Sequence, residues 1–480
     1  MRLSLAFLKA ALPQAKFLVK HRSGQEVAQE DVGWVAKDEE ISVAFDSRSL
    51  NSGELFVPLK GNSVDGHSFL PAVLTKGAAA VLIQDEQALD AVPNEVWKRN
   101  LVIVVKDTYQ AFLALARAWR KELRLPIVAI TGSVGKTTTK EMVRSILQAA
   151  GIPAQVSLKN QNTVVGVCTT LLNIKTTDRV AVCEVGISLQ GEMAERIEIL
   201  RPTIAAITNI GHAHAEGLGG VQGIATEKRQ IFRYFESHHV GIINGDQPLL
   251  TDAYYHHPIA KFGFKTKNQV QARKMMVRLA RDGQLSISFI LKWYGQRADV
   301  TLTGGHQGYV VNALTASTIA YFLNIPFDRV IAGLTSYEGF EGRFQIHAIR
   351  EGRGRLISDC YNANPESMRA AIEAFGKMQG PGKKVAVIGD MLELGDKEIF
   401  WNRQVGRMIA KAGRIDEVIL VGPLAAAAQS TVPFRTRVIL APTWQEAVGL
   451  LDQAVGKGAF VLVKGSRGVG LKNLVEAFIQ

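Results

Sequence analysis

Residues 125–151 read LPIVAITGSVGKTTTKEMVRSILQAAG, a β-branched strand, a glycine turn and a helix-patterned run in direct succession. A chain that passes from strand to helix through so short a turn is committed to an α/β sheet with helices on its faces. In Thr131-Gly132-Ser133-Val134-Gly135-Lys136-Thr137 the glycines let successive backbone N–H groups face an anion at the start of the following helix. Lys136 then neutralises β and γ phosphates, and Thr137 offers its hydroxyl to Mg²⁺. The full P-loop spacing asks for glycine where Ile130 stands, so the match is to the shorter GxxGK[ST] core. A helix-capping turn explains Gly132 and Ser133, but not a Gly-Lys-Thr directly after an apolar strand.

The strand-like runs RVAVCEVG and TIAAITNIG follow, which predicts a parallel sheet with crossover helices. A phosphate-bound Mg²⁺ needs a carboxylate from a neighbouring strand, and Val180-Ala181-Val182-Cys183-Glu184 ends in one, making Glu184 the candidate. The next run ends in Asn209 to Glu216, bringing His212 and His214 to the same C-terminal sheet edge, where ligands of open α/β sheets bind. Only one of these two histidines is expected to touch metal. Around Gly339 to Arg343 the segment GFEGR reads as a linker. Beyond it RLISDCYN, KVAVIGD, EVILVG and FVLVKG alternate with helical stretches, the pattern of a doubly wound domain. Up to about residue 106, short apolar runs and helical patterns read as a small α/β module, opened by an amphipathic helix through Leu5, Leu8 and Leu12. The expectation is an α/β protein of three domains: a small N-terminal one (1–106), a central P-loop domain on a parallel sheet (107–338) and a C-terminal Rossmann-like domain (339–480).

Composition removes several other classes. With 47% hydrophobic and 21% charged residues in 480, the balance is globular, and no apolar run approaches the roughly 18 residues of a membrane span. Three cysteines, Cys168, Cys183 and Cys360, lie far apart without a CxxC, which fits a reducing cytoplasm. The net charge of +12 comes from 56 basic and 44 acidic side chains. Its densest stretch runs from Lys261 to Arg297 through Arg273, Lys274, Arg278 and Arg281, without the aromatic interleaving of a nucleic-acid surface. A solvated basic surface is expected, with no nucleic-acid partner and no insertion into a membrane.

These residues together resemble the Mur ligase family, ATP-dependent amide-forming enzymes of peptidoglycan precursor synthesis, over nearly the whole chain. Asp46-Ser47-Arg48, Gly53-Glu54-Leu55-Phe56, Gly61 and Asp65-Gly66-His67 resemble the family's DSR...GxLF...G...DGH pattern. That pattern belongs to a domain holding the UDP end of the substrate, with Ser47 and Arg48 as contacts. Thr131 through Thr138 is similar to its ATP-binding TGSxGKT loop. Asn160-Gln161-Asn162 with Gly166 and Thr170-Leu171-Leu172 resembles its NxN...G...TLL segment, implying that Asn160 and Asn162 bind substrate. Lys228, in Thr226-Glu227-Lys228, matches a lysine that CO₂ carbamylates into an anionic ligand; with His214 it would hold a second Mg²⁺. Asp359-Cys360-Tyr361-Asn362-Ala363-Asn364-Pro365-Glu366-Ser367-Met368 and Lys464-Gly465-Ser466-Arg467 resemble the DxYNANPxSM and KGSR motifs of the branch that adds a D-Ala-D-Ala dipeptide.

The resemblance implies that ATP phosphorylates the terminal carboxylate of UDP-MurNAc-tripeptide and that the dipeptide's amine displaces phosphate from the acyl phosphate. It also implies two Mg²⁺ ions, one on Thr137 and Glu184, and a monomeric enzyme. Arg343 would reach the phosphates, Asp359 the ribose and Asn312 the adenine. Asn362, Asn364, Lys464 and Arg467 would line the closed site. Lys136, Lys228, His214 and Arg343 form the expected catalytic set. The chain departs from the pattern in two places: two extra residues separate His306 from Asn312, leaving His306 without an assignment, and Asn402 stands where a histidine is often found. A sister ligase adding a diamino acid remains an alternative, although its usual DNPR motif does not occur. A P-loop ATPase or switch is another, but it leaves the DSR and YNANP motifs unexplained.

Overall fold

The computed structural model of the protein describes residues 4–20, 41–61, 63–98, 100–159, 161–213, 215–279, 285–379 and 382–479. Asn160, His214 and Arg281 lie outside the described residues. In chain order the strands are β1 (Lys16–Lys20), β2 (Val43–Ala44), β3 (Leu55–Phe56), β4 (Ala80–Ile83), β5 (Asn100–Val104), β6 (Ile127–Thr131), β7 (Ala154–Val156), β8 (Val180–Glu184), β9 (Ile204–Ile207) and β10 (Val240–Asn244). They continue with β11 (Ile259–Gly263), β12 (Val270–Leu279), β13 (Leu285–Trp293), β14 (Gln296–Thr303), β15 (Gln345–Ile349), β16 (Gly354–Ser358), β17 (Lys384–Gly389), β18 (Glu417–Val421), β19 (Arg437–Ala441) and β20 (Ala459–Lys464).

The chain divides into two compact units, the first comprising 1–127, 152–183 and 195–202. It opens with the expected amphipathic helix, Leu5–Ala11, capped by the Ser4 hydroxyl and burying Leu8. Its sheet runs β1-β5-β4-β3-β2, parallel except for β1 against β5. Leu18, Phe56, Leu70, Val81 and Val102 meet in its core. β7 and β8 form a parallel pair in the same unit. The Asn173 side chain accepts the Val43 N–H at 2.8 Å and donates to its carbonyl at 3.0 Å, a two-point graft of side chain onto strand.

The second unit comprises 128–151, 184–194 and 203–480. Within it strands follow one another in the order β14-β13-β12-β11-β10-β9-β6. Pairing is parallel from β6 to β12 and antiparallel from β12 to β14. The sheet is therefore mixed where the sequence predicted a parallel one. The reason is local: Tyr294 and Gly295 both take positive φ, 45° and 92°, the two-residue turn that folds β13 back on β14. β13 alternates buried and part-exposed residues accordingly, whereas β6, buried throughout, is aliphatic up to its last residue, Thr131. The basic stretch from Lys261 to Arg297 lies largely on these outer strands. The last sheet runs β15-β16-β20-β17-β18-β19 with only β15 antiparallel, the expected doubly wound arrangement. Among the described residues no helix is long and apolar enough to cross a membrane.

Candidate active site

β6 delivers the phosphate loop. Gly132 adopts φ 151°, and a Cβ there would lie 1.9 Å from the Thr208 hydroxyl oxygen, so no side chain fits. Gly135, at φ 87°, is the left-handed cap of the helix Lys136–Ala149 and makes no side-chain cap bond. The segment after β9 supports the loop from below. The Ser133 and Val134 N–H groups donate to the Asn209 carbonyl (3.1 Å) and its side-chain oxygen (2.8 Å). Thr208 donates its hydroxyl to the Val134 carbonyl at 2.6 Å, and the Ser133 hydroxyl bonds both backbone groups of Gly211. With these contacts made, the first N–H groups of the helix are the donors that lack intrahelical partners.

Two features point this loop at a polyphosphate. Lys136 Nζ reaches back to the Gly132 carbonyl at 2.8 Å. Burial pushes its pKa below the ordinary lysine value, with Glu184 opposing that shift and the Arg343 charge adding to it. The Thr137 hydroxyl is buried without a hydrogen-bond partner among the described residues, as is that of Thr131. Glu184 is 1% exposed at the end of β8, and the next residue's N–H, that of Val185, meets the Ile130 carbonyl at 2.9 Å. Among the described residues no group of three or more His, Cys, Asp or Glu side chains gathers as a metal cage. An orphan threonine hydroxyl and one carboxylate instead suit Mg²⁺, which keeps few protein ligands and takes the rest from phosphate and water. Asn312 joins the loop from the helix Gln307–Phe322: its side-chain oxygen stands 2.2 Å from where a Cβ on Gly135 would be. Thr138 is buried in the first turn.

Sequence reasoning missed Lys140. It is fully buried, with Nζ 2.9 Å from Glu141 Oε1 and 4.0 Å from Glu184 Oε2, so a cation stands behind the candidate metal carboxylate. The signal was its i+4 spacing from Lys136, which puts both on one side of the helix. Lys228 is likewise 1% exposed near the end of the helix Gly220–Arg229, unlike the surface lysine that its helical setting suggests.

The C-terminal domain contributes Arg343, whose guanidinium lies 4.1 Å over the Tyr361 ring and whose Nε is buried without a partner among the described residues. Asp359 and Lys464 are an ion pair at 2.6 Å, and Lys464 Nζ also donates to the Asp359 and Asn362 carbonyls at 3.3 Å. At 1% exposure Lys464 is part of the frame. The other Asp359 oxygen accepts the Phe344 N–H at 3.2 Å. Asn364 caps the helix Pro365–Lys377 in a capping box with Ser367, while Asn362 and Arg467 remain exposed.

Other expected positions have different surroundings. In the first unit Asp46 grips Arg48 through two side-chain bonds of 2.9 and 2.7 Å, leaving Arg48 exposed, and the Ser47 carbonyl accepts from Lys76. Asn162 is half-buried there. His306 caps the helix Gln307–Phe322, its ring nitrogen accepting the Gly308 N–H at 3.0 Å, and burial lowers its pKa to about 4. His212 is held by Glu366 at 2.6 Å. Asn402 is fully buried, and its amide bonds both backbone groups of Met391, so it braces the loop after β17.

Three family models match the chain: "Mur ligase family, catalytic domain" over residues 42–120, "Mur ligase middle domain" over 130–320 and "Mur ligase, glutamate ligase domain" over 342–467. A UDP-N-acetylmuramoyl-tripeptide–D-alanyl-D-alanine ligase of Bacillus subtilis is 34% identical over 91% of this chain and 93% of its own. That of Escherichia coli is 31% identical over 91% and 93%. Among solved structures, MurF from Acinetobacter baumannii superposes with a TM-score of 0.82 at 29% identity, covering 99% of this chain and 98% of its own. MurF ligase from Thermotoga maritima in complex with ADP gives 0.75 at 25% identity, covering 91% and 96%.

Proposed function

The chain belongs to the Mur ligase family, and from that premise we propose that it uses ATP to join D-alanyl-D-alanine to a UDP-N-acetylmuramoyl-tripeptide in peptidoglycan precursor synthesis. The observation that carries the reading is one convergence: Lys136, the unpartnered Thr137 hydroxyl, Glu184, Asn312 and the Arg343 charge all meet at the phosphate loop. The three matched models, in order, support three successive domains, which we put at 1–106, 107–338 and 339–480, although the first match runs on to residue 120. A monomer acting in the cytoplasm completes the proposal.

A carboxylate does not condense with an amine at neutral pH, because its oxide is a poor leaving group. Transfer of the γ-phosphoryl group to the tripeptide's terminal carboxylate supplies one, and attack by the dipeptide's amine then expels phosphate. The obstacle is charge, since triphosphate and carboxylate must approach each other. Lys136, swinging from the Gly132 carbonyl to the phosphates, and Arg343 from the linker side lower that barrier. The N–H groups at the start of Lys136–Ala149 add fixed positive potential. Thr137 and Glu184 would hold one Mg²⁺ and His214 with a carbamylated Lys228 a second, supplying further charge neutralisation when bound. Lys140, behind Glu184, keeps that carboxylate aimed. Asn312 and Asp359 would receive adenine and ribose, while Asn362, Asn364 and Arg467 border the dipeptide. In the first unit Ser47 and Arg48 would contact the UDP end, and Asn160 with Asn162 the rest of that substrate.

The test is phosphate release from ATP with Mg²⁺ and UDP-MurNAc-tripeptide, with and without D-Ala-D-Ala, followed by product mass. Release that requires the dipeptide, with a matching mass gain, is expected. Release without it means an ATPase or switch, and release only with a diamino acid and the dipeptide precursor means the sister ligase.

A further inference from the structure

The segment between His306 and Asn312, longer than the family pattern by two residues, forms the first turn of Gln307–Phe322 and puts Tyr309 beside the linker. Gly305 makes room for it: at φ 90°, a Cβ there would lie 2.5 Å from the Tyr309 ring. The Tyr309 hydroxyl donates to the Arg343 carbonyl. We propose that Tyr309 is a positioning residue for the phosphoryl transfer, tethering the linker so that Arg343 is presented to the phosphates.

Three observations favour a tether over a hydroxyl that merely found a partner. First, Phe344 holds a left-handed backbone at φ 52°, a conformation that a bulky residue keeps only when its surroundings impose it. They do: Asp359 takes its N–H, and the His306 ring stands edge-on to both Phe344 (5.3 Å) and Tyr309 (5.5 Å). Second, the linker borders a cleft of about 350 Å³ lined by Gly304, Tyr309, Glu338, Arg343, Phe344 and Arg355. The Tyr309 hydroxyl thus holds the Arg343 carbonyl at the edge of that cleft. Third, the Arg343 side chain is stacked on Tyr361 and leaves Nε buried and unpartnered among the described residues. A guanidinium so placed depends on its backbone being held still. The inference rests on the role of Arg343 given above.

The experiment is a double-mutant cycle of Tyr309→Phe and Arg343→Ala in the full chain, read as kcat for phosphate release and as ADP affinity by calorimetry. Tyr309→Phe keeps the ring and removes one oxygen; kcat is expected to fall about fivefold, the loss of one ordinary hydrogen bond, with a small drop in urea midpoint from the same bond. In the Arg343→Ala background the same change should cost nothing in either readout. A full loss in that background overturns the tether, as does no loss in the parent. If Arg343→Ala alone alters neither kcat nor ADP affinity, it is the reading of Arg343 that fails, and the tether loses its purpose with it. The affinity arm reads even where turnover is too slow to measure.

Discussion

Two strand–turn–helix units of the second compact unit are built alike and do opposite things. β6 leads through Gly132-Ser133-Val134-Gly135 into Lys136–Ala149, and β20 leads through Gly465-Ser466-Arg467 and Gly470 into Leu471–Phe478. Both helices start on a left-handed glycine, φ 87° at Gly135 and 77° at Gly470, without a side-chain cap. Each unit carries one lysine: Lys136 is the first residue of its helix, and Lys464 is the last residue of its strand. Lys136 hydrogen-bonds only a backbone carbonyl; the Glu184 carboxylate acts on it without pairing and the Arg343 charge opposes that, so no counter-ion within the loop is bonded to it. Lys464 is neutralised by Asp359 at 2.6 Å and saturated by two carbonyls. What makes one turn an anion site and the other a girder is where the counter-charge comes from. The first waits for a ligand to supply it, and the second carries it in the chain.

Substitution of the two lysines should split activity from stability. Lys136→Ala is expected to lower phosphate release by about 10³-fold or more, since it removes a preorganised cation from the transferring group. The urea midpoint should stay near the parent's, because the lysine sits at a loop end. Retained turnover would end the assignment. Lys464→Met should do the reverse: it strands the buried Asp359 carboxylate, a cost of about 3–5 kcal/mol, visible as a lower urea midpoint. Adding Asp359→Asn should return part of that stability. If Lys464→Met abolished turnover with an unchanged midpoint, Lys464 would be a substrate cation after all, as the KGSR motif suggested.

This contrast also marks how far the sequence could be read. The phosphate loop was legible because its chemistry sits in consecutive residues: the glycines, Lys136 and Thr137 fix one another's geometry within a single turn. Glu184 was legible because a strand end in an α/β sheet faces the ligand edge. The Lys464–Asp359 pair was not, since 105 residues separate its members and only the β16–β20 pairing brings them together. Lys140 went unread because burial depends on what packs over the helix, not on the helix pattern. The antiparallel strands β13 and β14 turned on one dipeptide, Tyr294-Gly295, whose non-glycine member hides the usual hairpin signal. Asn402 registered only as a missing histidine, whereas its amide does what imidazole could not: it accepts from and donates to the same backbone residue.

A third helix start sharpens the comparison with the smallest effect. Gln307–Phe322 begins on a side-chain cap, His306, whose ring nitrogen must be unprotonated to accept the Gly308 N–H. Burial holds its pKa at about 4, with Asp359 opposing that shift and Lys464 adding to it. The native state therefore keeps His306 neutral while the unfolded chain protonates it below about 6.5. The unfolded state then binds more protons, so stability is full above about pH 6.5 and falls as the pH drops toward 4. His306→Asn supplies an equally good cap that cannot titrate. At pH 7.5 its urea midpoint should match the parent's within the equivalent of about 1 kcal/mol. Between pH 6.5 and 4 the variant's midpoint should fall less steeply than the parent's. Equal slopes would mean that the imidazole is protonated in the fold and the cap is made some other way. The expected divergence would set the bare glycine starts apart from this one: they leave their N–H groups for a ligand, and this one has already spent them on the chain.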